Sequence, residues 1–243
     1  SERAVSCYAQ AFGNIAYRDG GAVAMERLLE QSVSATDELN DCHPIAHMVG
    51  SASYYGLNRD FGAAIAAGTR RCAGGYFHGV IAAEAATNPE REPESLGARL
   101  ARLCREAATE WGSREECYHG IGHVAEHIFD YETPVALRAC TSMRETIRGL
   151  GANAGEEHNA YFTCAQGTFM ENLHAQGGPE SRWHRKDDPV YPCEEFDEET
   201  GVACWDIVPG AIQSEPDETD VDHSIRRFEI CATADQASWS QRC

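Results

Sequence analysis

Apolar residues recur at three- and four-residue spacing through positions 8–17, 22–29, 45–55, 61–67, 76–86, 96–108, 121–129 and 135–147, which predicts a helix over each stretch. No stretch alternates apolar and polar residues as a half-buried strand does. Breakers separate the segments: Asp19-Gly20-Gly21, Asn88-Pro89 through Pro93, Thr133-Pro134, and the glycine-containing run 149–155. The expected fold class is therefore all-α, a succession of helical hairpins joined by short loops. Past Gly177 the pattern fades. Pro179, Pro189, Pro192, Pro209 and Pro216 fall among dense acidic residues, so the acidic C-terminal third is expected to be less regular, with one short helix near 223–233. The whole of 1–243 is expected to form a single domain, with 1–177 as helical repeats and 178–243 packed on them.

A cysteine motif recurs with the hairpins. Cys42-His-Pro-Ile-Ala-His47, Cys72-Ala-Gly-Gly-Tyr-Phe-His78, Cys117-Tyr-His-Gly-Ile-Gly-His123 and Cys164-Ala-Gln-Gly-Thr-Phe-Met170 align, and their first cysteines are 30, 45 and 47 residues apart. Each motif is expected at the start of a helix, because Pro44 is tolerated in a first turn, where its missing N–H would have no partner. Glycine inside a helix costs about 1 kcal/mol relative to alanine. Gly75, Gly120 and Gly167 therefore need a reason, and close approach of neighbouring helices supplies one. If the motif helices form an inner layer converging on one axis while larger outer helices splay, the array closes into an α/α toroid or a tightly curved solenoid.

The histidines then fall at equivalent places. His47, His78, His123 and Met170 occupy one position of the repeat, and the position four residues earlier holds His43, Gly74, His119 and Gln166. Residues four apart share a helix face. Two helices thus offer an i, i+4 histidine pair and a third offers one imidazole, with Glu171 directly after Met170. Several buried imidazoles are costly to protonate, whereas neutral imidazoles around a cation have their nitrogens satisfied. The expected metal set is His47, His78 and His123 as nucleus, His43 and His119 completing it or forming a second level, and Met170 and Glu171 at the fourth equivalent place. Imidazole suits copper and zinc alike. A lone histidine near a helix start more often serves structure than metal; the repeated placement is what favours ligation.

Composition narrows the setting. Against 20 basic residues stand 39 acidic ones, a formal charge of -19, which disfavours nucleic acid and anionic lipid surfaces as partners. The 11 cysteines are spread along the chain and not gathered into zinc knuckles, which points to disulfides and to a secreted or periplasmic protein whose leader has been removed. No run is long enough to span a membrane. Pairing each motif cysteine with one at the end of the preceding hairpin gives Cys7–Cys42, Cys104–Cys117, Cys140–Cys164, Cys193–Cys204 and Cys231–Cys243, with Cys72 left over.

HExxH, GxSxG, a phosphate-binding P-loop and a dinucleotide fingerprint are all missing from the sequence. The function expected is an exported metal-binding protein with a central histidine cluster holding copper or zinc. Such a centre could also serve a metal-dependent enzyme, with Glu171, Glu126 or Glu84 as acid or base. The alternative is a disulfide-stapled helical repeat scaffold for protein–protein interaction, its histidines structural. No protein partner is legible.

Overall fold

The computed structural model describes residues 2–34, 42–174, 181–185, 188–212 and 218–234. It is all-helical, 77% helix, with no strand among the described residues. The helices are α1 (Glu2–Asp19), α2 (Gly21–Ser34), α3 (His43–Gly56), α4 (Phe61–Ala66), α5 (Gly75–Thr87), α6 (Pro93–Ala107), α7 (Trp111–Ile128), α8 (Thr133–Gly149), α9 (Ala154–His174), α10 (Glu198–Ala211) and α11 (Asp220–Cys231). Local chemistry sets several boundaries. The Asp60, Asp197 and Thr219 side chains accept hydrogen bonds from backbone N–H groups at the starts of α4, α10 and α11, and prolines occupy the first turns of α3, α6 and α8.

The odd-numbered helices form a row in which α1 packs on α3, α3 on α5, α5 on α7 and α7 on α9, and α10 extends it by packing on α9. Helices α2, α6 and α8 lie outside this row: α2 against α1 and α3, α6 against α8, and α8 against α7 and α9. The site helices α3, α5 and α7 are therefore central. Helix α5 is buried on nearly every side, from Gly75 through Ala85, and it is the most apolar of the three. A helix apolar all round belongs inside a core.

Close approach explains the glycines. A Cβ on Gly79 of α5 would overlap the His47 carbonyl oxygen of α3, and one on Gly167 of α9 would overlap the His119 carbonyl of α7. Backbone thus lies on backbone at the histidine-bearing turns. Replacing Gly79 with alanine should force α3 and α5 apart and lower stability by about 1–3 kcal/mol. Thermal denaturation of G79A against the parent chain measures it, and an unchanged melting temperature would contradict the contact.

Several expectations need correction. The motif begins helices α3 and α5, but Cys117 and Cys164 lie well inside α7 and α9. Largely polar turns at 111–116 and 154–159 extend these helices toward their N-termini. The polar segment that opens α9 hid that helix from the hydrophobic pattern. Past Gly177 the expected short helix near 223–233 is α11, while α10 was not foreseen, and Cys193, Trp205 and Val208 are fully buried in the same apolar cluster as the residues before Gly177.

Four disulfides staple the described residues: Cys42–Cys72, Cys104–Cys117, Cys140–Cys164 and Cys193–Cys204. Cys7, placed above in a bridge to Cys42, is instead a free, exposed thiol on α1. Cys42 caps α3 while Cys72 sits in the turn before α5, and the packing of those two helices brings their Cα atoms to 5.4 Å. Cys72 is thus a bridge partner and not a leftover. Cys231 is disulfide-bonded; Cys243, its expected partner, lies outside the described residues. Four disulfides mark an oxidising, extracellular setting. No helix among the described residues is long and apolar enough to cross a membrane.

Candidate metal centre

Five imidazoles meet where α3, α5 and α7 touch. On α3, His43 and His47 lie one turn apart with their Nε2 atoms 3.0 Å from one another. On α7, His119 and His123 repeat the arrangement at 3.1 Å. His78 on α5 stands between the pairs, its Nδ1 3.3 Å from His47 Nε2 and its ring stacked on His119 at 5.0 Å. Two compact triads result, His43–His47–His78 and His78–His119–His123, each with ligand atoms within 4.8 Å of one another. Imidazole nitrogens bound to one tetrahedral zinc at 2.0–2.1 Å are roughly 3.3 Å apart. The separations of 3.0, 3.1 and 3.3 Å are close to that value.

The expected nucleus of His47, His78 and His123 is not one of these triads. An i, i+4 pair brings two rings of one helix together more closely than α3 and α7, on either side of α5, bring His47 and His123, whose ring centroids are 6.2 Å apart. Met170 packs against the apolar core. Glu171 stands behind the ligands, one step from the triads: its Oε2 accepts from His123 Nδ1 at 2.9 Å, and its Oε1 accepts from the Tyr131 hydroxyl at 3.3 Å.

Each pair has one ring whose tautomer the protein fixes. A carbonyl oxygen only accepts, so His43 Nδ1–H donates to Cys72 O at 2.9 Å and the neutral ring turns its Nε2 lone pair toward His47. Three consecutive left-handed residues, Cys72, Ala73 and Gly74, aim that carbonyl, and the Cys42–Cys72 disulfide holds the turn. Likewise His123 Nδ1–H donates to the Glu171 carboxylate, leaving Nε2 as a lone pair. A ligating histidine held from behind by a carbonyl or carboxylate is the usual support of a metal site. His47 Nε2 faces two other ring nitrogens, more than one N–H can serve. His78, 1% exposed, leaves its Nε2 buried without a hydrogen-bond partner.

His47, His78 and His119 are held neutral. Burial, aided by His43 and His123 and opposed by Glu171, pushes His47 down to about 3. Burial and the surrounding imidazoles push His78 and His119 well below their ordinary value. Burial alone would raise the Glu171 carboxyl, but the hydrogen bond and charge of His123, the Tyr131 hydroxyl and His127 hold it below the usual range. Neutral imidazoles beside an ionised carboxylate are the donor set that a divalent transition metal takes.

A cavity of about 230 Å³ opens beside the cluster, lined by His47, His78, His123, His127 and Glu171 and by Ala82, Ala86, Val124 and Ile128. The other carboxylates singled out earlier are employed elsewhere. Glu84 pairs with Arg99 and accepts from Tyr54 and Asn88. Glu126 accepts from Thr133 at 2.7 Å and leaves Oε2 without a partner. Sequence reasoning missed the Cys72 carbonyl and Tyr131. The first is a backbone group, and the second reaches Glu171 only because residues 130 and 131 turn through left-handed geometry after α7.

Replacing Glu171 with glutamine removes the charge behind His123 while keeping the shape. Metal affinity should fall by about 10–100-fold, read by competition with a chelator of known strength. An unchanged affinity would remove Glu171 from the site. Comparison of the chain with family models, curated proteins and solved structures finds no match.

Proposed function

We propose that the protein is an exported metal-binding protein whose core histidines hold copper or zinc, on a row of helical hairpins read as a tightly curved solenoid. The observation that carries this reading is the junction of two partly buried i, i+4 histidine pairs across the buried His78, with Nε2 atoms 3.0 and 3.1 Å apart within the pairs. Hydrogen bonds within the protein leave His78 Nε2 unsatisfied, and a cation removes that cost. Elemental analysis of protein purified without a metal-affinity tag, before and after reconstitution with each metal, tests it. No bound metal after reconstitution would leave the scaffold reading in front.

The cavity favours a second reading, a metal-dependent enzyme. A closed binding site needs no adjoining space, whereas a catalytic ion needs an open position next to room for substrate. In that role Glu171 and His127 are the groups placed to hold or move a proton at the ion, as both line the cavity.

A further inference from the structure

We propose that the centre holds two ions and that His78 bridges them through its two ring nitrogens, an inference that rests on the metal-binding reading above. The two triads have His78 alone in common. Ligand atoms that share one ion must lie close together, and those of each triad are within 4.8 Å of one another. The five imidazoles meet that condition as two sets and not as one, so each pair on α3 and α7 needs its own ion.

The orientation of His78 suits both. Its Nδ1 faces His47 at 3.3 Å. The opposite edge of the ring faces α7: Cδ2 lies 3.4 Å from where a Cβ on Gly120 would stand, and Nε2 lies 3.9 Å from Glu116 Oε2. Gly120 directly follows His119, and Glu116 lies one turn before Gly120, so the unpartnered Nε2 sits against the turn that carries the second pair. One ion takes His43 Nε2, His47 Nε2 and His78 Nδ1; the other takes His119 Nε2, His123 Nε2 and His78 Nε2. A neutral imidazole carries one N–H, so bridging releases that proton to solvent and leaves an imidazolate between two divalent ions. Glu171 and Glu116 are the carboxylates placed to offset the added charge. The chemical class of ligand is thus a pair of divalent transition ions with an affinity for imidazole.

Cu(II) alone is the probe. The full chain, stripped with chelator and loaded with excess Cu(II), should bind two ions. Its electron paramagnetic resonance signal should integrate to far less than two independent spins, because an imidazolate couples the ions it joins. His119→Gln should bind one ion and give a full one-spin signal. Binding of a single ion by the unsubstituted chain would overturn the bridge, as would two ions with an uncoupled two-spin signal. Failure to bind copper or zinc at all would instead overturn the metal-centre reading beneath it. Should the substituted chain not fold, stoichiometry and spin count of the unsubstituted protein decide the matter.

Discussion

Replacing His78 with alanine should weaken metal retention by more than about a hundredfold, whereas replacing His184 should leave metal content unchanged. His78 is the one imidazole of its helix and the one member common to both triads; no neighbouring ring can take its place. Altering a residue that merely supports a ligand costs about 10–100-fold in affinity, and removal of a ligand shared by both sets exceeds that. His184 belongs to neither triad and does not line the cavity, so it controls for nonspecific loss. The measurement is metal content after dialysis against a weak chelator, with circular dichroism to show that both variants keep their helices. Equal metal content in the two would reduce the cluster to a structural role.

The residues of this site were legible in the sequence to different depths. The i, i+4 pairs declare themselves because helical periodicity fixes which residues share a face, and Gly75 and Gly167 declare close contact because only glycine lets one backbone lie on another. Which rings become mutual neighbours depends on the offset between α3, α5 and α7, a tertiary quantity. For that reason the equivalent positions His47, His78 and His123 look like a nucleus along the chain, while in space His43 and His119 complete the compact sets. The Cys42–Cys72 bridge was hidden for a related reason. A pairing rule based on adjacent hairpins cannot anticipate that the turn before α5 folds back onto the cap of α3. Helix α9 escaped because its first turns are polar, and amphipathic patterning does not register a helix until it reaches its buried face.

Acid should act on the metal-free protein through these same histidines. His47 falls from an ordinary 6.5 to about 3 in the folded chain, and His78 and His119 lie well below 6.5. Above pH 6.5 these rings are neutral in both states and stability does not depend on them. Below it the unfolded chain takes up protons that the folded core refuses, so His47 costs roughly 1 kcal/mol per pH unit from 6.5 toward 3, and His78 and His119 act in the same direction. Glu126 works in the opposite sense. Burial, with Glu171 and Glu132 adding and Thr133 opposing, pushes its carboxyl from 4.5 up to about 8, so the stability it contributes in acid is lost as pH rises from 4.5 through 8. Between 4.5 and 6.5 the three histidines outweigh Glu126 and Glu116, whose carboxyl burial also pushes up; above 6.5 the histidines no longer contribute and Glu126 still does. The melting temperature of the metal-free chain should therefore peak near pH 6.5 and fall steeply below it. In the metal-loaded chain the same burial shields the ligands from protons, so metal should still be retained at pH 5 and leave only as the helices melt. Release of metal near pH 6.5 with the helical signal intact would mean that the ligands are exposed histidines, and not the buried set described above.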